Sequence, residues 1–146
     1  MNLQKYLKFW VKKIIAKLYQ KKSSHLEKTK ILANNAIAIN SLRVCWKSPD
    51  KYNCSKCRKC LLTMLALDIC GKLNKSQVFD QGNLVELIKE YADFKNYASR
   101  VYFNELVVAY KDQNPNSEIY RVLRNIQRKQ MFYIKIKSWV KRLLGK

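Results

Sequence analysis

Four cysteines, Cys45, Cys54, Cys57 and Cys60, lie within sixteen residues of this chain in the order C-x8-C-x2-C-x2-C. Thiolates so close in sequence can all point at one centre, which is how a chain builds a tetrahedral all-thiolate site for zinc. The spacing therefore predicts a Zn²⁺ ion with these four side chains as its ligands. It also predicts that the middle of the chain is organised around that ion.

The spacing favours zinc over an iron–sulfur cluster. The bacterial cluster motif places a fourth cysteine about four positions after the third and a proline after it. Here the run Leu61–Thr63 follows Cys60 instead. Four protein ligands complete a tetrahedron and leave no position for a catalytic water. We therefore interpret the site as structural.

The remaining residues give no catalytic pattern. Cys70 lies in an apolar run and is predicted to be a small buried side chain. His25, the one histidine, lies in a polar turn and is predicted to be exposed to solvent. The 3 glycines are too isolated to form a phosphate-binding loop. The carboxylates of residues 86–93 accompany Lys89 on a predicted solvated face. We expect no catalytic residue and no enzymatic activity in this chain alone.

Most of the chain is predicted to be helical. Glycine and proline are scarce, with 3 and 2 residues, and apolar residues recur at helical spacing. We predict helices over about 3–19, 26–42, 58–71, 83–91 and 97–111, and one from Glu118 into the basic tail. Arg43–Trp46 is expected to be briefly extended, and a strand is a local alternative over Met131–Ile136. The predicted fold class is mostly α, a small helical domain around a four-cysteine zinc knuckle.

Three positions are predicted to begin or end these helices. Ser24, or Ser23 before it, can cap the second helix with Glu27 near the third position. Asn83 is placed to cap a later helix. Gly71 is a typical residue for ending the helix that follows the cysteines.

Positive charge is concentrated at the two ends of the chain. The net charge is +20, yet residues 1–22 carry seven lysines and no acid, and residues 121–146 carry nine Lys or Arg and no acid. All 10 acidic residues lie between these arms. We therefore predict a basic amphipathic helix over 1–22, a helical zinc-knuckle domain over 23–120 and a basic helical tail over 121–146.

Three interpretations of the two arms stay open. Each arm combines lysines with an apolar stripe that includes a phenylalanine and a tryptophan, Phe9 with Trp10 and Phe132 with Trp139. The stripes can pack on the domain core, which is the interpretation we favour because amphipathic helices usually serve a core. They can instead lie on an anionic membrane surface, or the cations can bind nucleic acid, which we favour least.

The sequence predicts a cytoplasmic location. No secretory signal is evident because lysines interrupt the N-terminal apolar positions and no small-residue cleavage site follows. No stretch approaches 18 uncharged apolar residues. Clustered thiols that bind metal are typical of a reducing compartment. Peripheral attachment to the membrane is compatible with that location.

The segments Arg43–Trp46 and Tyr52–Met64 resemble the C-terminal zinc-binding part of proteins related to 7-cyano-7-deazaguanine synthase, in the PP-loop ATP pyrophosphatase superfamily. The resemblance covers roughly residues 25–80 and includes the cysteine order, so it implies the same four ligands. Its RVCW…NCxxCxKC form is similar to members associated with bacterial surface-polysaccharide gene clusters. Two positions depart from the pattern: Ser55 replaces a common glycine, and Leu62 a frequent arginine.

The SGGxDS nucleotide loop of that superfamily is absent from this sequence, so ATP-dependent chemistry does not carry over. The resemblance implies a non-catalytic zinc module that works with a partner chain supplying a nucleotide-binding domain, or at the membrane in polysaccharide biosynthesis. One alternative is a nucleic-acid-binding zinc module that uses its basic arms. Another is a subunit that completes an ATP-using enzyme in trans.

Overall fold

A computed structural model of the chain describes residues 13, 24–47, 51–80, 82–92 and 96–144. From residue 24 onward they form α1 (His25–Ala33), α2 (Ala36–Asn40), α3 (Arg58–Ile69), a 3-10 helix (Leu73–Lys75), α4 (Leu84–Tyr91), α5 (Tyr97–Gln113) and α6 (Glu118–Leu143). No strand occurs among these residues, which confirms the mostly α fold. The predicted helix over 1–22 lies outside the described residues except for Lys13. None of the described helices is long and apolar enough to cross a membrane.

Helix α3 is the centre of the fold. Its sequence is apolar on nearly every side, and a helix of that kind is stable only when other elements surround it. It packs against α1, α4, α5 and the 3-10 helix. Leu61, Leu65 and Leu67 are completely buried. Because the cysteine segment leads directly into α3, this helix fixes the site to the core.

The predicted helix ends are confirmed in α1 and α3. The Ser24 hydroxyl accepts from the Glu27 N–H at 3.2 Å, and the Glu27 carboxylate accepts from the Ser24 N–H at 3.1 Å, which completes a capping box. Gly71 has a φ of +63°. The N–H groups of Gly71 and Lys72 donate to the carbonyls of Asp68 and Leu67, the pattern of a Schellman motif.

The single helix predicted over 26–42 is wrong. Two helices, α1 and α2, occupy this segment and are separated at Asn34 and Asn35. The Asn34 amide donates to the Lys30 carbonyl at 3.2 Å, and the Asn35 side chain accepts from the Ala38 N–H at 3.0 Å. Asparagine side chains offer the backbone an alternative to helical bonds, so two in succession end one helix and start another. Ile37, an apolar residue of α2, is exposed.

Helix α5 holds the C-terminal end of α3. The Tyr110 hydroxyl donates to the Asp68 carboxylate at 2.7 Å and lies 3.2 Å from the Leu65 carbonyl. The Gln113 amide donates to the Ile69 carbonyl at 3.1 Å. Carbonyls in the last turn of a helix lack intrahelical partners, so α5 satisfies one of them directly. Burial and the neighbouring Asp68 carboxylate raise the pKa of the Tyr110 hydroxyl.

Helix α6 continues without a break into the basic tail. It begins at the predicted Glu118, where the Ser117 hydroxyl accepts from the Tyr120 N–H at 3.1 Å. Residues 131–136 are helical, so the strand alternative is wrong. The first part of the helix packs on α4 and α5 through buried Tyr120 and Leu123. Beyond residue 130 nearly every side chain is exposed.

Candidate metal centre

Three consecutive pieces of backbone supply the four predicted ligands. Cys45 comes from the segment after α2, which is neither helix nor strand. Cys54 and Cys57 lie in the turns that precede α3, and Cys60 is in the first turn of α3, as predicted. The local fold thus carries residues separated by up to fifteen positions to one place.

The four sulfur atoms lie within 4.8 Å of one another. The Sγ atom of Cys60 is 3.6 Å from that of Cys57 and 3.8 Å from that of Cys54. A tetrahedron of thiolates around one ion with bonds of about 2.3 Å has edges of about 3.8 Å. The donor set and its size therefore fit one tetrahedral metal ion, and the predicted clustering of the cysteines is confirmed.

Backbone N–H groups point at the sulfurs. The Cys54 N–H donates to Cys45 Sγ, and the Cys57 N–H donates to Cys54 Sγ, each at 3.3 Å. Bonds of this kind stabilise negative charge on a thiolate ligand and fix its orientation.

The four thiols differ in burial, and burial and hydrogen bonding shift their pKa values in different directions. Cys45 and Cys60 are buried, whereas Cys54 and Cys57 are half-buried. Burial opposes ionisation of the Cys45 thiol, yet the N–H groups of Cys54 and Lys47 lower its pKa to about 6. Burial and the neighbouring Cys57 raise the pKa of the Cys60 thiol. Burial also raises the pKa of Cys57. A bound cation is what allows all four thiols to ionise together.

Asn53 joins three segments around the cluster, a role that the cysteine spacing did not reveal. Its side chain is buried; the carbonyl oxygen accepts from the Val44 N–H at 2.9 Å. Its amide nitrogen donates to the carbonyls of Leu42 at 2.7 Å and Val78 at 3.2 Å. A buried amide with three partners is costly to replace, because each partner would lose its bond. Asn53 thereby holds the segments that carry Cys45 and Cys54 next to each other.

Ser55 has a left-handed backbone, with a φ of +58°. Glycine adopts this conformation without steric cost, whereas other residues seldom do. The Ser55 hydroxyl is buried and accepts from the Asp80 N–H at 2.8 Å. This bond ties the knuckle to the loop after α3.

The two other candidates lie apart from the cluster. Cys70 is at the C-terminal end of α3, half-buried against the core rather than fully buried as expected. Burial raises the pKa of its thiol. His25 is exposed, as predicted, and its ring stacks on Tyr102 with centroids 4.7 Å apart. Lys89 pairs with Glu86 and Glu118 on the surface.

Comparisons of this chain with protein-family models, curated proteins and solved structures find no significant match.

We predict that Cys57→Ser abolishes metal binding and that Cys70→Ser does not. Both replace a half-buried thiol by a hydroxyl, but only the first removes one of the four clustered sulfurs. Metal content by mass spectrometry of the purified proteins should be about one ion per chain for the Cys70 variant and near zero for the Cys57 variant. Protons compete with metal for thiolates, so retention should fall as the pH is lowered. Equal metal content in the two variants would contradict the assignment.

Replacement of Ser55 by alanine and by glycine separates its two roles. Both variants lose the bond to Asp80, but only alanine retains a Cβ in the left-handed conformation. We expect the alanine variant to be less stable than the glycine variant by about 1 kcal/mol. Urea unfolding at a fixed excess of metal measures this difference. An alanine variant as stable as the glycine variant would show that the turn is not strained.

Proposed function

We propose that this chain is a non-catalytic structural zinc module that presents a basic amphipathic helix to an anionic membrane surface. The observation that carries this proposal is the second half of α6, where an apolar stripe and its flanking cations both face solvent. The module's own core lies elsewhere, around α3. The helix is thus available to bind a surface outside the chain.

Zinc is the ion that this donor set favours. Four thiolates are soft ligands and suit Zn²⁺ in a tetrahedral site, whereas magnesium and calcium prefer oxygen. A closed set of four protein ligands supplies folding energy rather than a reactive metal-bound water. The zinc site therefore supports a structural role.

The exposed stripe lies on the side of α6 opposite to its core contacts. Phe132 follows the buried Leu123 by nine residues, which is about two and a half turns of helix. Lys141, five turns after Leu123, instead lies on the same side of the helix as the core contacts. Because α6 is one continuous helix, its apolar stripe turns away from the core that its first half contacts. Our favoured sequence interpretation, packing on the core, therefore holds for the first part of this arm, where Leu123 is buried, but not for residues 131–144, which are nearly all exposed.

The stripe has the composition of a membrane-surface helix. Its apolar members are Phe132, Ile136, Trp139, Val140 and Leu143, of which Trp139 is 62% exposed. Cations lie beside it at Lys129, Lys135 and Arg142 and on the opposite side of the helix at Lys137 and Lys141. Residues 119–144 contain no acid. Tryptophan and leucine beside lysines are typical of helices that lie in the headgroup region of anionic bilayers.

Charge favours lipid over a second copy of the chain as the partner of this stripe. Helix pairs in water usually carry charges of both signs beside the apolar seam. Two copies of α6 would instead bring lysines against lysines, on chains that each carry +20, and like charges repel. An anionic bilayer offers the complementary charge and an apolar layer at once.

We predict that Trp139→Ala with Leu143→Ala weakens binding to anionic vesicles at least about tenfold. Vesicle flotation with mixed phosphatidylglycerol and phosphatidylcholine measures the bound fraction. Vesicles of phosphatidylcholine alone should bind much less, because each lysine near the surface contributes about 1 kcal/mol only with anionic lipid.

The matched control is Trp46→Ala with Ile37→Ala. These two side chains are 77% and 68% exposed, against 62% and 64% for Trp139 and Leu143, but they lie outside α6. The control should float as the parent protein does. Equal losses in the two double variants, or equal binding to neutral and anionic vesicles, would contradict the proposal.

A further inference from the structure

A groove of about 480 Å³ lies beside the metal centre, on a surface that the membrane proposal does not use. Cys45 and Cys57 form part of its wall. The other described residues that line it are Trp46, Lys47, Lys56, Arg58, Lys59 and Tyr91. Four of these six are cations, and none is an acid. The groove therefore combines positive charge with two aromatic rings.

The metal centre does not account for all of this positive charge. Four thiolates and one divalent ion carry a net charge of about −2. Against this stand the four cations of the groove and the neighbouring Arg43. None of the five forms an ion pair with a carboxylate among the described residues; Lys51 nearby is paired with Asp80 at 3.3 Å. Counted over the described residues alone, about three positive charges thus remain available for a ligand.

The two aromatic rings differ in accessibility. Lys56 lies over the Tyr91 ring at 5.2 Å, and Tyr91 is half-buried. Trp46 is 77% exposed, and the Arg43 guanidinium lies over its ring at 4.7 Å. A cation in this position holds the indole by cation–π attraction. The indole is exposed at the edge of a cationic groove, so its free face can stack on another flat ring.

We propose that this groove binds a short stretch of single-stranded nucleic acid. A base stacks on Trp46, and the adjoining phosphates lie against Lys47, Arg58 and Lys59. Stacking together with a cationic track is the usual means by which proteins hold single strands. A lipid surface fits the groove less well because Trp46 is its one large exposed apolar side chain among the described lining residues. A duplex conceals its bases and cannot stack on the indole.

The test uses the full-length, metal-loaded protein and fluorescence anisotropy of a labelled uridine oligomer of about ten nucleotides, beside an RNA duplex of the same length. Trp46→Ala should weaken binding of the single strand about tenfold and leave binding of the duplex unchanged. Trp139→Ala, matched in residue type, should alter neither. Both residues are exposed, so neither substitution should disturb the core, and a measured metal content of one ion per chain checks that the variants are folded.

A second pair of variants tests the cations. The groove variant is Lys47→Gln with Arg58→Gln and Lys59→Gln, and the control is Lys28→Gln with Lys75→Gln and Lys111→Gln, which removes equal charge elsewhere. The groove variant should lower the slope of log affinity against log salt by about 2 for the single strand. The control should change it less.

Three results would overturn the inference. The first is equal loss of single-strand binding in Trp46→Ala and Trp139→Ala. The second is an equal effect of the two charge variants, which would reduce the binding to non-specific attraction by a basic chain. The third is loss of vesicle flotation in the groove variant with RNA binding unchanged, which would assign the groove to lipid.

Discussion

The convergence of four thiols at the start of α3 is the constraint on which the rest of the structure depends. Their sulfur atoms lie within 4.8 Å of one another, too close for four ionised groups to coexist without a cation. With a cation they cross-link the segment after α2, the knuckle and α3. Since α3 is the buried centre of the fold, loss of a ligand or of the metal should also destabilise the core.

The polar groups next to the cysteines extend this cross-link. Asn53 bonds to backbone groups of residues 42, 44 and 78, and Ser55 bonds to the backbone of residue 80. Both side chains are buried, where unmatched polar groups are costly. The loop after α3 is thus fixed to the knuckle from one side, while Tyr110 fixes the far end of α3 from the other. The groove at Trp46 and the exposed half of α6 lie outside this network of bonds.

Much of this could be predicted from the sequence, because the signals are local. Cysteine spacing gave the cluster, Ser24 with Glu27 gave the start of α1, and Gly71 gave the end of α3. The break at Asn34 and Asn35 was missed because the apolar pattern of 26–42 continues across it. The break depends instead on hydrogen bonds made by the two asparagine side chains. The role of Asn53 depends on partners up to 25 residues away, which no local pattern contains. The direction in which the α6 stripe faces could not be predicted, because the sequence does not show which side of the helix contacts the core.

Hydrogen exchange of the backbone amides, measured with and without bound metal, tests the central claim most directly. If the thiolate centre holds the core, removal of the metal by a chelator should speed exchange in α3 more than about a hundredfold, since structural zinc contributes several kcal/mol to folding. Exchange in the exposed half of α6 should change little by comparison. Unchanged protection of α3 in the metal-free protein would contradict the account, because the helix would then be held by its apolar contacts alone.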